Sequence, residues 1–401
     1  MTPGRTVRGL LPTVVGLPLS GENLANPATA IALANQPTVT PDFTVCPPVG
    51  GPSLGEPPTT GRAMASEITR FLSEGGTAPA LANLLRDEWN VLGDTGLVRN
   101  DLDLTGEGVP EVIVSYRAPG DDGTLLILGC SAGQYMTRYQ AITGGSAPQI
   151  VQIGDMNYDQ KLDMLFASEV CGEESGCAFQ TQLITWSVEA GRFINLLSNV
   201  LVNDSVPTLS DVDTDRVTEI VVRLDNPGDS NTGPLRTGVN IYDWNGAAYV
   251  LSIIQLDPPR FRIQVIHAAD RAFAQLNTDQ AIPLYESAVN DPSLRFWYND
   301  EPAILNSYGL YRLLLAYAYI EDERRLATYQ TIIQTFPDPA AAPVYTAMSI
   351  AFWDALQVTN NLHSACLEVQ EIVAARPEAL SLLNRYGSRS PTYTVQELCP
   401  F

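Results

Sequence analysis

The sequence predicts an α+β multidomain chain: β-hairpin or blade-like repeats forming an incomplete propeller or curved β-array, followed by an all-α array of helical hairpins. Three observations predict it. An acidic nine-residue pattern recurs at 103–111, 155–163 and 211–219, at intervals of 52 and 56 residues. Each copy runs into short apolar strands punctuated by a glycine turn. From about Phe261 onward the apolar spacing changes to that of helices.

Composition sets the frame. At 401 residues and 45% hydrophobic content the chain is long and apolar enough for two or three real cores. Its 45 acids against 23 lysines and arginines give a net charge of −22, and Lys161 is the single lysine. Nucleic acid is excluded as a partner, because a phosphate backbone requires a positive surface. The acid excess serves solubility generally, and where acids cluster at regular intervals it also makes cation sites.

Residues 1–60 read as a leader and linker. Arg5 and Arg8 precede a weakly apolar run, LLPTVVGLPL, and Ala32-Leu33-Ala34 resembles a cleavage site, with Glu22 between them. The stretch 35–60 is dense in Pro, Gly and Thr and is expected to be an extended linker. Residues 61–93 carry helical spacing, Ile68/Phe71/Leu72 and Leu81/Leu84/Leu85, broken at Gly75-Gly76, so two short helices are expected.

The β repeats occupy 94–258. In each, a first apolar strand follows the acidic pattern directly, at 112–116, 164–168 and 220–223. A variable loop and a second strand come next, at 125–128, 183–186 and 239–242. Then a glycine turn leads to an aromatic: Gly133/Tyr135, Gly191/Phe193 and Gly246/Tyr249. Each unit is therefore a loop followed by about three antiparallel strands.

Residues 259–387 form the helical part and 388–401 a tail. Three helix pairs are expected, at 261–290, 304–336 and 344–375, with Pro337 and Pro377 closing the second and third at an interval of 40. Ala281, Tyr285, Ala288 and Pro292 are spaced as in the second helix of a tetratricopeptide repeat, which the array loosely resembles.

The six cysteines, Cys46, Cys130, Cys171, Cys177, Cys366 and Cys399, contain no CxxC pair. Cys171 and Cys177 bracket GEESG and are expected to close a surface hairpin. Cys366 with Cys399 would tie down the tail, leaving Cys46 with Cys130, although the sequence alone leaves fifteen connectivities open. An even cysteine count suits an oxidising compartment. No run of about 20 apolar residues predicts a transmembrane helix, so any surface attachment is expected to be peripheral.

Calcium takes six to eight hard oxygens, and a loop with acids at alternate positions folds them inward. The first copy offers Asp103, Thr105, Glu107, Glu111 and the carbonyl of Val109. The second offers Asp155, Asn157, Asp159, Asp163 and the carbonyl of Lys161. The third offers Asp211, Asp213, Asp215, Glu219 and the carbonyl of Val217. On these residues the stretch from about 95 to 255 resembles the FG-GAP/VCBS repeats, the integrin-like propeller blades whose loop reads D-x-[DN]-x-[DN]-G-x-x-[DE] and holds calcium. The resemblance implies one to three bound calcium ions. The first copy keeps Gly108 but has Thr105 and Glu107 at ligand positions, whereas the others place Gln160 and Arg216 where the glycine, and a positive φ, is expected.

Three repeats cannot close a propeller, so an open edge must be covered by the helices or by another molecule. No GxSxG, P-loop, HExxH or dinucleotide motif occurs. His267 and His363, the only histidines, lie on apolar helical stretches and are expected to pack. The aromatic segment at 295–302, RFWYNDEP, is expected to be a packed inter-helix loop in preference to a partner surface. The expectation is a secreted or cell-surface, non-catalytic binding or scaffold protein that meets a protein partner or self-assembles, as in a filament or surface layer. A secreted hydrolase carrying the repeats as an accessory domain is the alternative.

Overall fold

Two threonine caps set the first helices. Thr60 and Thr77 accept hydrogen bonds from the N–H groups of Ala63 and Ala80, at 3.2 and 3.3 Å. They open α1 (Gly61–Ser73) and α2 (Ala78–Asn83), the latter running into a π turn at Leu84–Glu88. The break between them needs glycine, because Gly75 has φ +94° and a Cβ on Gly76 would lie 2.2 Å from the Phe71 ring. The structure, a computed structural model, describes residues 43–401 except 173–175, 200 and 339. The expected leader lies almost wholly outside the described residues.

Three antiparallel sheets follow, each a meander in chain order. The first comprises β1 (Leu97–Leu102), β2 (Glu111–Arg117), β3 (Asp122–Ser131) and β4 (Gln134–Gly144). The second comprises β5 (Gln149–Gly154), β6 (Asp163–Gly172), β7 (Gly176–Ser187) and β8 (Arg192–Asn195), with β9 (Leu201–Asn203) also pairing with β7. The third comprises β10 (Thr208–Ser210), β11 (Glu219–Leu224), β12 (Gly238–Trp244) and β13 (Tyr249–Leu256). The glycines of the last turns, Gly133, Gly191 and Gly246, all have positive φ, at 77°, 59° and 93°.

The repeating unit starts one strand earlier than the sequence suggests. The acidic loop joins the first two strands of each sheet and does not precede the first. Those first strands escape sequence reading for a physical reason: β10 has only three residues, and β1 carries Arg99-Asn100-Asp101 in its second half. Neither shows a clean alternation.

Strand alternation stacks the sheets in series. Val112, Val114 and Tyr116 of β2 face α1 and α2, packing on Ile68, Phe71 and Leu81. Ile113 on the other face meets Met164 and Phe166 of β6. Leu165 and Leu183 of the second sheet meet Ile220, Val222 and Tyr249 of the third. Among the described residues no closed barrel or propeller forms.

The helical half contains α3 (Arg262–Ala274), α4 (Thr278–Asn290), α5 (Glu301–Tyr319), α6 (Arg324–Thr335), α7 (Val344–Thr359), α8 (Leu362–Ala375) and two short turns, α9 (Glu378–Ser381) and α10 (Val395–Leu398). The pairs α3–α4, α5–α6 and α7–α8 are the expected hairpins. Their core is organised around Asp270, which accepts hydrogen bonds from the hydroxyls of Tyr285, Tyr308 and Tyr393 at 2.5, 3.1 and 2.7 Å and pairs with Arg312 at 2.9 Å. Arg312 also donates to the carbonyls of Glu397 and Leu398, drawing the tail into the core. The segment 295–302 is packed in part, with Trp297 edge-on to Phe261 and Tyr298 against Tyr386, while Phe296 stays exposed.

The described part of the linker, 43–60, is tied to its neighbours along its length: Gly50 N donates to Gly75 O, Gly120 N to Thr59 O and Trp89 Nε1 to Gly55 O. Extended Pro/Gly backbone has no internal hydrogen bonds, so it takes partners from its neighbours. The helices at 61–93 form the outer layer of the first sheet. All three expected cysteine pairs are present, Cys46–Cys130, Cys171–Cys177 and Cys366–Cys399. No helix among the described residues is long and apolar enough to cross a membrane.

The two halves meet through main chain and through the Gln264 amide of α3, which donates to Pro234 O and Leu235 O. The β11–β12 connection and the segment after α9 exchange Ser388 N to Asn231 O at 2.8 Å and Arg389 N to Thr232 O at 3.1 Å. A Cβ on Gly233 would lie 1.6 Å from Tyr386 O, and one on Gly387 2.5 Å from Asn231 O.

Candidate metal centre

The three acidic loops share one backbone conformation. Their fourth and sixth residues are left-handed in every copy: Gly106 and Gly108 (φ 74° and 87°), Tyr158 and Gln160 (61° and 69°), Thr214 and Arg216 (68° and 84°). Five different residue types adopt the same path, so the path is imposed by what the loop closes on. That anchor is the ninth residue. Glu111, Asp163 and Glu219 each begin the second strand of their sheet, are at most 2% exposed, and accept a hydrogen bond from the N–H of the loop's second residue, Leu104, Met156 or Val212.

The first loop is satisfied from within. Asp103 accepts from the N–H groups of Gly106, Glu107 and Gly108, and Thr105 donates to Glu111 at 2.8 Å. Glu107 is drawn away to Arg138 at 2.9 Å. A cation would have to displace these partners, and the donor set does not fit one. Nothing in sequence spacing flagged Arg138, which lies 31 residues from Glu107.

The second loop is intermediate. Asp155 accepts from Asp159 N and Gln160 N, Asn157 from Asp159 N, and Asp159 from Lys161 N. The Lys161 ammonium lies 3.7 Å from Asp159 and partly supplies the counter-charge itself. Burial pushes Asp163 up to about 7, with Asp159 and Asp155 adding to it.

The second loop leaves one buried oxygen, Asp163 Oδ1, without a hydrogen-bond partner among the described residues, and the third leaves two. Asp211, Asp213, Asp215 and Glu219 each place a carboxylate oxygen within 4.8 Å of the others. Among the described residues Asp213 and Asp215 accept only from Asp215 N and Val217 N. Glu219 Oε1 and Asp211 Oδ1 are buried and have no hydrogen-bond partner among the described residues. Burial pushes Glu219 up to about 7, and the nearby carboxylates of Asp213, Asp243 and Asp211 push in the same direction. A buried carboxylate oxygen without a donor is costly, and a hard cation among four acids removes that cost. This donor set fits a calcium ion, with Asp211, Asp213, Asp215 and Glu219 as the holding side chains.

Val109, Lys161 and Val217 occupy the seventh position of each loop, directly after its second left-handed residue. Loops two and three also touch: Thr218 N donates to Met156 O at 2.9 Å, and the Arg216 guanidinium lies over the Tyr158 ring. Tyr249, read from the sequence only as the aromatic after a turn, is fully buried in the electrostatic field of Asp163 and Glu219. Elsewhere Glu169 lies near Cys171 and Cys177, but those sulfurs form a disulfide and are not thiolate ligands. No family model matches the chain, and no curated protein matches it.

Proposed function

We propose that the chain is a non-catalytic binding or scaffold protein of the extracellular side, built on repeats of the FG-GAP/VCBS kind, with a calcium ion held in the 211–219 loop. The observation that carries this reading is the pair of buried, unpartnered oxygens, Glu219 Oε1 and Asp211 Oδ1, inside a cluster of four acids. The three disulfides agree with an oxidising, extracellular environment. Calcium here stiffens the junction between the second and third sheets, since the loop also bonds to its neighbour through Thr218.

An uncovered strand supports the binding role. The first sheet is capped by α1 and α2, but at the other end Val212 is 45% exposed where its counterparts Leu104 and Met156 are 3% and 2% exposed. At the far edge of the same sheet, β13 exposes Leu251, Ile253 and Ile254 and carries no charged residue.

Calcium titration tests the reading. With extracellular-type dissociation constants on the order of 0.1–1 mM and about 1 mM calcium, mass action gives roughly 0.4–1.4 kcal/mol per site. At about 2–4 °C per kcal/mol for a domain of this size, melting temperature rises by about 1–6 °C over a chelator control. Glu219→Gln removes that rise. An unchanged melting temperature in the unaltered protein sinks the calcium assignment.

A further inference from the structure

The helical half contains a cleft of about 580 Å³ between α3, α8 and the segment 391–401. That volume lies within the range of small-molecule sites. Both histidines of the chain line it, although 96 positions separate them in sequence. His267 is 6% exposed, and its Nε2 makes no hydrogen bond among the described residues. Exposed His363 is oriented by its Nδ1–H, which donates to the main-chain oxygen of Phe401 at 3.0 Å. The expectation that both merely pack therefore fails for His363 and is incomplete for His267.

Two side-chain carboxylates line the cleft. Asp270 is held by three tyrosine hydroxyls and Arg312, and Glu397 is turned to Thr394, whose N–H and hydroxyl both donate to its Oε2. Arg271 has no ion pair among the described residues and sits one turn after His267, close enough for its charge to act on the imidazole. The amides of Gln370 and Gln396 and the Thr392 side chain border the same space, and Ala274, Pro391 and Phe401 supply apolar wall. Burial holds His267 neutral near pH 7, so the imidazole adds a hydrogen-bonding group and no second charge.

We propose that this cleft binds a small organic monocarboxylate, its anionic group on Arg271 and the glutamine amides and its apolar body against Ala274, Pro391 and Phe401. A dianion is disfavoured by Asp270 and Glu397 and by the −22 charge of the chain. The site is separate from the acidic loops, so it stands or falls independently of calcium.

Calorimetric titration of the full chain in a chelating buffer with benzoate, benzamide and inorganic phosphate tests this. The expected result is saturable 1:1 binding of benzoate with Kd on the order of 0.1–1 mM, at least about tenfold tighter than benzamide or phosphate. Arg271→Ala weakens benzoate by about tenfold or more through loss of a charge-assisted hydrogen bond, with an unchanged melting temperature because Arg271 is exposed. Absence of saturation by about 10 mM benzoate overturns the proposal. So does equal binding of benzamide, or equal binding by Arg271→Ala.

Discussion

Burial holds His267 at about 4, well below the ordinary 6.5, with Arg271 pushing the same way and Asp270 opposing. The other groups packed on the ring are Tyr386 and Tyr393, which stay neutral in the acid range. In the unfolded chain the imidazole takes up a proton as pH falls through 6.5, whereas in the folded chain it refuses one until about 4. The unfolded state therefore binds more protons across that window, and stability falls as pH falls. The full loss is roughly 3 kcal/mol by pH 4. Urea midpoints at pH 7, 5.5 and 4.5 check this: the acid-side decline is expected to be shallower in His267→Gln, which has no imidazole to protonate. An identical slope in that variant removes His267 from the account.

Elements differ in how visibly they are written. The six long helices were legible because their apolar residues repeat at helical spacing, as at Tyr285–Ala288 in α4, and the central strands because they are short continuous apolar runs buried on both faces, as at Leu125–Leu128 in β3. The first strand of each sheet was not, since short edge strands need no buried face. The acidic loops were legible as a repeat and as ligand sets, but not in what distinguishes them. The Glu107–Arg138 pair and the meeting of His267 with His363 depend on tertiary placement that no local spacing encodes. At this scale β13 carries its own prediction. An uncharged outer strand with exposed Ile253 and Ile254 offers unpaired backbone to another strand. Light scattering is expected to show concentration-dependent association that Ile253→Lys suppresses while the melting temperature holds. Association that survives this substitution places the contact elsewhere.

For the molecule as a whole, stability is layered: helices on the first sheet, three sheets in series, then a helical half joined at a narrow seam. The seam is confined by Gly233 and Gly387, whose φ values of 82° and 83° and close approach to Tyr386 O and Asn231 O leave no room for a Cβ. Gly233→Ala must therefore push the β11–β12 connection off the helical half, costing about 1–3 kcal/mol in backbone strain alone. Scanning calorimetry is expected to show the endotherm of the variant broadening or splitting as the halves uncouple. A single endotherm superimposable on that of the unaltered protein shows that the seam does not couple them.

That seam also bears on how the protein can diverge. The hydrogen bonds from the Ser388 and Arg389 N–H groups to the carbonyls of Asn231 and Thr232 are blind to most side-chain identities, and the Gln264 amide adds a side-chain bond to Pro234 O and Leu235 O. Drift at Asn231, Ser388 and Arg389 leaves the halves in register, while the two glycines admit no replacement. Descendants of this chain are thus free to change the chemistry of either half separately, with a pair of hydrogen atoms as the constraint they inherit together.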